Sequence, residues 1–84
     1  FTKYNTLNNA SDETLKTGIY GINTELISTS NLPSGVSYGM MIVFNGVGSS
    51  GNPIVQVVFD NVNNKVYYRV KWDIYSFKPW ILLT

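Results

Sequence analysis

Gln56 and Arg69 fall opposite one another if two extended stretches, Ile54–Phe59 and Lys65–Val70, fold back as a hairpin. The stretch between them, Asp60-Asn61-Val62-Asn63-Asn64, has turn chemistry, because Asn and Asp tolerate the left-handed backbone of tight reversals. With Asp60 facing Lys65, the pairs become Phe59–Val66, Val58–Tyr67, Val57–Tyr68, Gln56–Arg69 and Val55–Val70. Side chains alternate across a strand, so Gln56, Tyr67 and Arg69 share one face with Ile54, Val58 and Lys71. An aromatic ring beside an amide and a guanidinium suits a glycan, which offers an apolar face for stacking and hydroxyls for hydrogen bonds. The competing reading is internal: Gln56 and Arg69 bond each other beneath Tyr67, since a buried charge needs a partner. On either reading the opposite face, with Val55, Val57, Phe59, Val66, Tyr68 and Val70, is expected to be the buried one. Tyr68, Trp72 and Trp80 are assigned to the core on the same ground.

Other chemistry is thin. The chain has neither His nor Cys, so the commonest general base and the thiol nucleophile are missing, along with disulfides and thiolate metal sites. Five carboxylates, Asp12, Glu13, Glu25, Asp60 and Asp73, are spaced so that no two are drawn to one face. The Asp60–Asn64 stretch has the residue types of a hard-cation loop but lacks further acids and a terminal Glu. A loose GxG at Gly46-Val47-Gly48 has no Lys-Ser/Thr after it and no helix, so it reads as a hairpin loop. The expectation is a non-enzymatic chain that uses no metal and no cofactor.

The elements that would carry these residues are mostly strands. Phe1 to Asp12 is turn-rich, and Ser11–Lys16 has the makings of one helical turn with Ser11 as its N-cap. Ile19–Ile22 is a short strand, which Leu26-Ile27 either extends or follows with another. Ser28 to Val36 is a loop punctuated by Pro33 and Gly35. Tyr38–Phe44 is apolar on both faces and therefore central. Asn45–Pro53 is a hairpin loop of about nine residues, longer than the usual 2–5. After the Gln56/Arg69 hairpin, Trp72–Pro79 is irregular and Trp80–Leu83 is a last short strand. Strand follows strand with turns between, so the fold class is mainly β: a small antiparallel β-domain with at most one short helical turn.

Eighty-four residues make one domain, 1–84, and a chain this short buries only about 60–65% of its unfolded surface. A partner is one source of extra stability. Charged residues are 13% of the chain, about half the usual ~25%. Its surface is therefore covered by Asn, Ser, Thr, Gly and Tyr, or lies against neighbouring copies. A net charge of +1 with scattered lysines gives no footprint for nucleic acid. No apolar run approaches the ~20 residues of a membrane helix. Starting at Phe1, the chain reads as a piece of a longer protein.

An ordered series of short motifs runs almost end to end. It comprises Tyr4-Asn5-Thr6-Leu7, Thr17-Gly18-Ile19-Tyr20, Asn31-Leu32-Pro33-Ser34-Gly35 and Gly39 at the head of the central strand. Val55-Gln56, Tyr67-Tyr68-Arg69 and the closing Trp80-Ile81-Leu82 complete it. In this order the chain resembles the pyocin knob family, small β-domains of tail fibres in phages and phage-tail-like bacteriocins. Residues 9–16, the glycine loop at 45–53 and the apolar approach from Trp72 to Phe77 depart from the family pattern. The resemblance implies a virion protein, extracellular, in a tail fibre or baseplate and packed as a homotrimer. It implies either a receptor-binding module contacting host cell-surface glycan or a purely structural knob that spaces and stabilises the fibre. A carbohydrate-binding appendage of a cell-wall hydrolase is a further alternative. Gly18, Tyr20, Pro33, Gly35, Gln56, Tyr68, Arg69 and Trp80 match the family motif and are read first as determinants of the fold. Gly18 and Gly35 would serve turns of positive φ; Gln56, Tyr67 and Arg69 would form the binding face.

Overall fold

The computed structural model of the chain describes residues 2–6, 16–23, 32–46, 53–72 and 76–84. They form one six-stranded sheet in sequence order: β1 (Thr2–Thr6), β2 (Gly18–Asn23), β3 (Tyr38–Asn45), β4 (Ile54–Asp60), β5 (Lys65–Lys71) and β6 (Ile81–Leu82). The protein is mainly β, with no helix among the described residues. The expected helical turn at 11–16 and the Leu26-Ile27 strand fall outside them, but for Lys16.

Strands β2 to β6 pair antiparallel with their neighbours. β1 is an exception in two ways. It is a strand where turn chemistry was expected, and it pairs parallel to β2, Asn5 facing Tyr20. The β4–β5 register is the one read from the turn, Asp60 facing Lys65 and Gln56 facing Arg69. Asn64 supplies the left-handed residue of that reversal, at φ 57°. Pro33 to Val36 make a second reversal, with a 3.3 Å bond from Val36 N–H to the Pro33 carbonyl. Gly35 stands at its third position with φ 87°, as a type II turn requires. Gly18 does not share that role: it opens β2 as an ordinary strand residue facing Val43.

The two faces of the sheet are reversed relative to expectation. The packed face carries Tyr20 and Ile22 from β2, Met41 and Val43 from β3, and Ile54, Gln56 and Val58 from β4. Leu32 and Val36 close over it from the loop before β3. Tyr67, Phe77 and Trp80 pack against this core from the C-terminal side. The open face carries Met40, Ile42 and Phe44 of β3, Val55, Val57 and Phe59 of β4, and Val66, Tyr68 and Val70 of β5. All of these are half-buried or exposed. Tyr68 is thus not a core residue. The reason is that β3 and β4 are apolar on both faces, so alternation alone cannot choose between them. Among the described residues the choice falls to the segments that fold over the sheet, 32–36 and 76–80, and both lie on the Gln56 side.

Gly39 faces Asp60 across β3 and β4, and a Cβ there would overlap the Phe59 carbonyl oxygen. Backbone cannot yield as a side-chain tip can, so Gly39→Ala should cost about 2–3 kcal/mol. Around Gly35 a Cβ meets nothing within 4 Å, so Gly35→Ala bears only the left-handed backbone cost, about 1–2 kcal/mol. Urea unfolding of the two variants checks the order; equal midpoints would show that β3 and β4 separate freely at Gly39.

Candidate functional site

The sheet brings Gln56, Tyr67 and Arg69 onto one face, as the hairpin register required. It does not leave them open. Gln56 has no exposed surface and Arg69 is 8% exposed. Arg69 Nε–H donates to Gln56 Oε1 at 2.8 Å. Its guanidinium carbon lies 4.0 Å from the centre of the Phe77 ring and 4.6 Å from that of Trp80. One side-chain oxygen and two ring faces are thus among the groups that meet the charge, each ring contributing about 1–2 kcal/mol in a desolvated setting. Gln56 Nε2, the other end of that amide, is buried without a hydrogen-bond partner. Tyr67, facing Val58, is half-buried against the same core.

The clamp follows from how the chain leaves β5. Phe77 and Trp80 pack on this face, and between them Lys78 N–H bonds the Val70 carbonyl at the β5 edge at 2.9 Å. β6 then pairs Leu82 with Tyr67 and Ile81 with Tyr68. Val66 and the last two residues complete the edge, with Leu83 N–H to Val66 O and Val66 N–H to Thr84 O both at 2.7 Å. Phe77 and Trp80 are held over Arg69 because the segment carrying them is tied down at its C-terminal side. Of the fold determinants inferred from the resemblance, Trp80 thus acts by covering Arg69, and Pro33 is buried beside Leu32. Tyr20 is buried with its hydroxyl donating to the Lys16 carbonyl at 2.7 Å.

A second feature was not anticipated. Phe44, Pro53, Val55, Val70, Lys71 and Trp72 line a groove of about 410 Å³ where the β3–β4 connection begins. Trp72, assigned to the core from sequence, is 65% exposed there, and Phe44 is 53% exposed. Its alternation with Val70 was the signal that placed it: both lie on the open face. The groove wall is almost wholly apolar.

Of the five carboxylates, Asp60 lies within the described residues, and no group of three metal-ligating side chains occurs among them. Asp60 is an internal turn residue. Its Oδ1 accepts from the Val62 and Asn63 N–H groups, both at 3.0 Å, and its Oδ2 from Asn63 Nδ2 at 2.9 Å. Burial would raise this carboxyl, but the bonds from the Asn63 side chain, Asn63 N–H and Val62 N–H, with Lys65 nearby, hold it below the usual value. Comparison of the chain with protein-family models, curated proteins and solved structures returned no match.

Two outcomes follow. Arg69→Ala should lower stability by about 2–4 kcal/mol, because it opens a cavity under both rings and strands the Gln56 carbonyl. Arg69→Lys should recover only part, since an ammonium lacks the planar stack and the Nε–H. Urea midpoints unchanged in Arg69→Ala would show that the clamp contributes nothing to folding. Asp60 binds its proton less readily folded than unfolded, so its stabilisation is present above the unfolded carboxylate pKa and fades as pH falls through the lower folded one. Thermal melts from pH 6 to pH 2 should therefore show an acid loss that is smaller in Asp60→Asn; an identical acid limb in both proteins would remove Asp60 from the account.

Proposed function

We propose that this chain is a non-catalytic structural knob: a β-module that stabilises and spaces a trimeric fibre, in keeping with its resemblance to pyocin knob domains of phage tail fibres. Its setting on this reading is the virion exterior. The observation that carries the proposal is the closure of the Gln56–Arg69 pair beneath Phe77 and Trp80. These are the groups that would have met sugar hydroxyls, and they are engaged inside the domain.

Magnitudes favour the structural role over glycan attachment at that face. Admitting a sugar means lifting two rings from Arg69, at about 1–2 kcal/mol each. It also means uncovering their apolar surface, about 2 kcal/mol or more. Breaking the charge-assisted bond to Gln56 adds about 1.5–3 kcal/mol. A sugar bound at millimolar to micromolar strength supplies about 4–8 kcal/mol in total. Opening would cost as much as that or more.

One observation favours a weaker second reading, in which the module also contributes to host attachment. Trp72 presents its ring to solvent beside Phe44, and an exposed ring is where a sugar can stack. Such a site would use Trp72 and not the Gln56 face.

Both readings are separated by NMR titration of the labelled chain with bacterial cell-surface oligosaccharides at millimolar concentration. The structural reading expects no shifts. Shifts on Gln56, Tyr67 and Arg69 would overturn it in favour of a receptor-binding face that opens. Shifts centred on the Trp72 indole, lost in Trp72→Ala, would establish the attachment reading instead.

A further inference from the structure

We propose that the open face of the sheet is an interface between copies of this chain. The inference deepens the structural reading above and rests on its premise that copies associate; the surface by which they do so is what the sheet supplies.

Every charged side chain of β4 and β5 points away from this face: Asp60, Lys65, Arg69 and Lys71 all register on the packed side. What remains on the open side of β3 to β5 is aliphatic or aromatic, with Phe59 37% and Phe44 53% exposed. An antiparallel sheet with a solvated face normally alternates apolar in and polar out. Here the solvated positions have no polar complement to offer water beyond tyrosine hydroxyls.

Size is the second argument. The four strands β2 to β5, of six to eight residues each, at about 4.8 Å spacing and roughly 20–25 Å long, give a footprint of about 400 Å² before side-chain relief. Largest apolar patches on monomers run to about 300–600 Å², so this face is already at that scale as a flat projection. Two such faces together cover about 800 Å² as flat projections and more with side-chain relief, close to the roughly 1,000 Å² that a specific association needs.

The chemistry of the occupant follows from what the face lacks. A charged or glycan surface would be desolvated there without a hydrogen-bonding partner, which is unfavourable. The occupant must itself be a charge-free apolar surface of matching extent. A second copy of this chain carries one, and no like charges oppose each other when the two meet. The chain's 13% charged residues, about half the usual ~25%, agree with a surface that association covers.

The test is sedimentation velocity of the 84-residue chain from about 1 to 200 µM, a span that brackets micromolar self-association. Three variants accompany the wild type. Val57→Lys and Phe59→Lys place a charge on the face; Val62→Lys places one in the β4–β5 turn, off it. A discrete oligomer is expected for wild type and Val62→Lys, with association weakened at least about a hundredfold in the two face variants. Circular dichroism confirms that the variants fold. Should Val57→Lys not fold, Phe59→Lys, at a more exposed position, serves alone. The urea midpoint of the wild type, which must rise with protein concentration, is a check that needs no variant. A monomer across the range overturns the proposal. So does a discrete oligomer that both face variants leave intact, while leaving the fibre reading standing. A face-dependent dimer sustains the interface but removes the threefold fibre; a face-dependent trimer sustains both.

Discussion

A guanidinium inside a small β-sheet must have its charge and its donors met before the apolar surface around it can close. Arg69 meets this requirement from two directions at once: Gln56 across the strand pair accepts from Nε, and Phe77 and Trp80 lay their rings over the planar group. The first partner is provided by register, the second by the path of the chain after β5. The segment that carries the rings, 76–80, is anchored by the bonds that join 78–84 to the edge of β5. Removing any one of these leaves a buried cation with less than it needs, which costs more than the pair itself contributes. The packed side of the sheet is therefore the side on which Arg69 lies.

This constraint accounts for what could and could not be read from the chain. Register was legible because it is local: Asp60 and the asparagines after it leave few ways to turn, and the Asp60 carboxylate bonds to Val62 and Asn63 show why. The central place of β3 was legible because both its faces are apolar. The inward face was not, for the same reason. Val55, Val57 and Phe59 are at least as hydrophobic as Ile54, Gln56 and Val58, and a count of apolar side chains favours the wrong set. The deciding contacts come from Leu32, Val36, Phe77 and Trp80, which lie outside the strands they cover. Irregular segments carry no periodicity, so nothing in the pattern says which face they will cross. The parallel pairing of β1 escaped for a related reason: its partner is chosen by a connection, not by the strand.

The candidate site teaches the complementary lesson. Tyrosine, glutamine and arginine on one face are the residue types of sugar recognition and equally of a satisfied polar cluster in a core. Residue type and register are common to both; only the cover distinguishes them. Gln56 Nε2 marks the limit of that satisfaction, a donor enclosed with no acceptor beside it. A pair bought at the expense of one stranded donor is more readily understood as a device for orienting Arg69 than as an optimised binding group, since a binding amide would turn both its ends toward the ligand.

A sheet of this kind has two apolar faces and one set of covering segments among its described residues. The covered face takes the polar residues because the cover can be shaped around them; the open side of β3 to β5 carries no charged side chain. Placing Asp60, Lys65, Arg69 and Lys71 on the covered side is what leaves the other side free of charge. In a solitary domain that distribution is a liability, since nothing on the open side opposes unwanted contact. It becomes consistent once the open side is also an interior. The same alternation that hides an arginine on one face then prepares the other for burial, and the domain's stability is shared between its own cover and its neighbours.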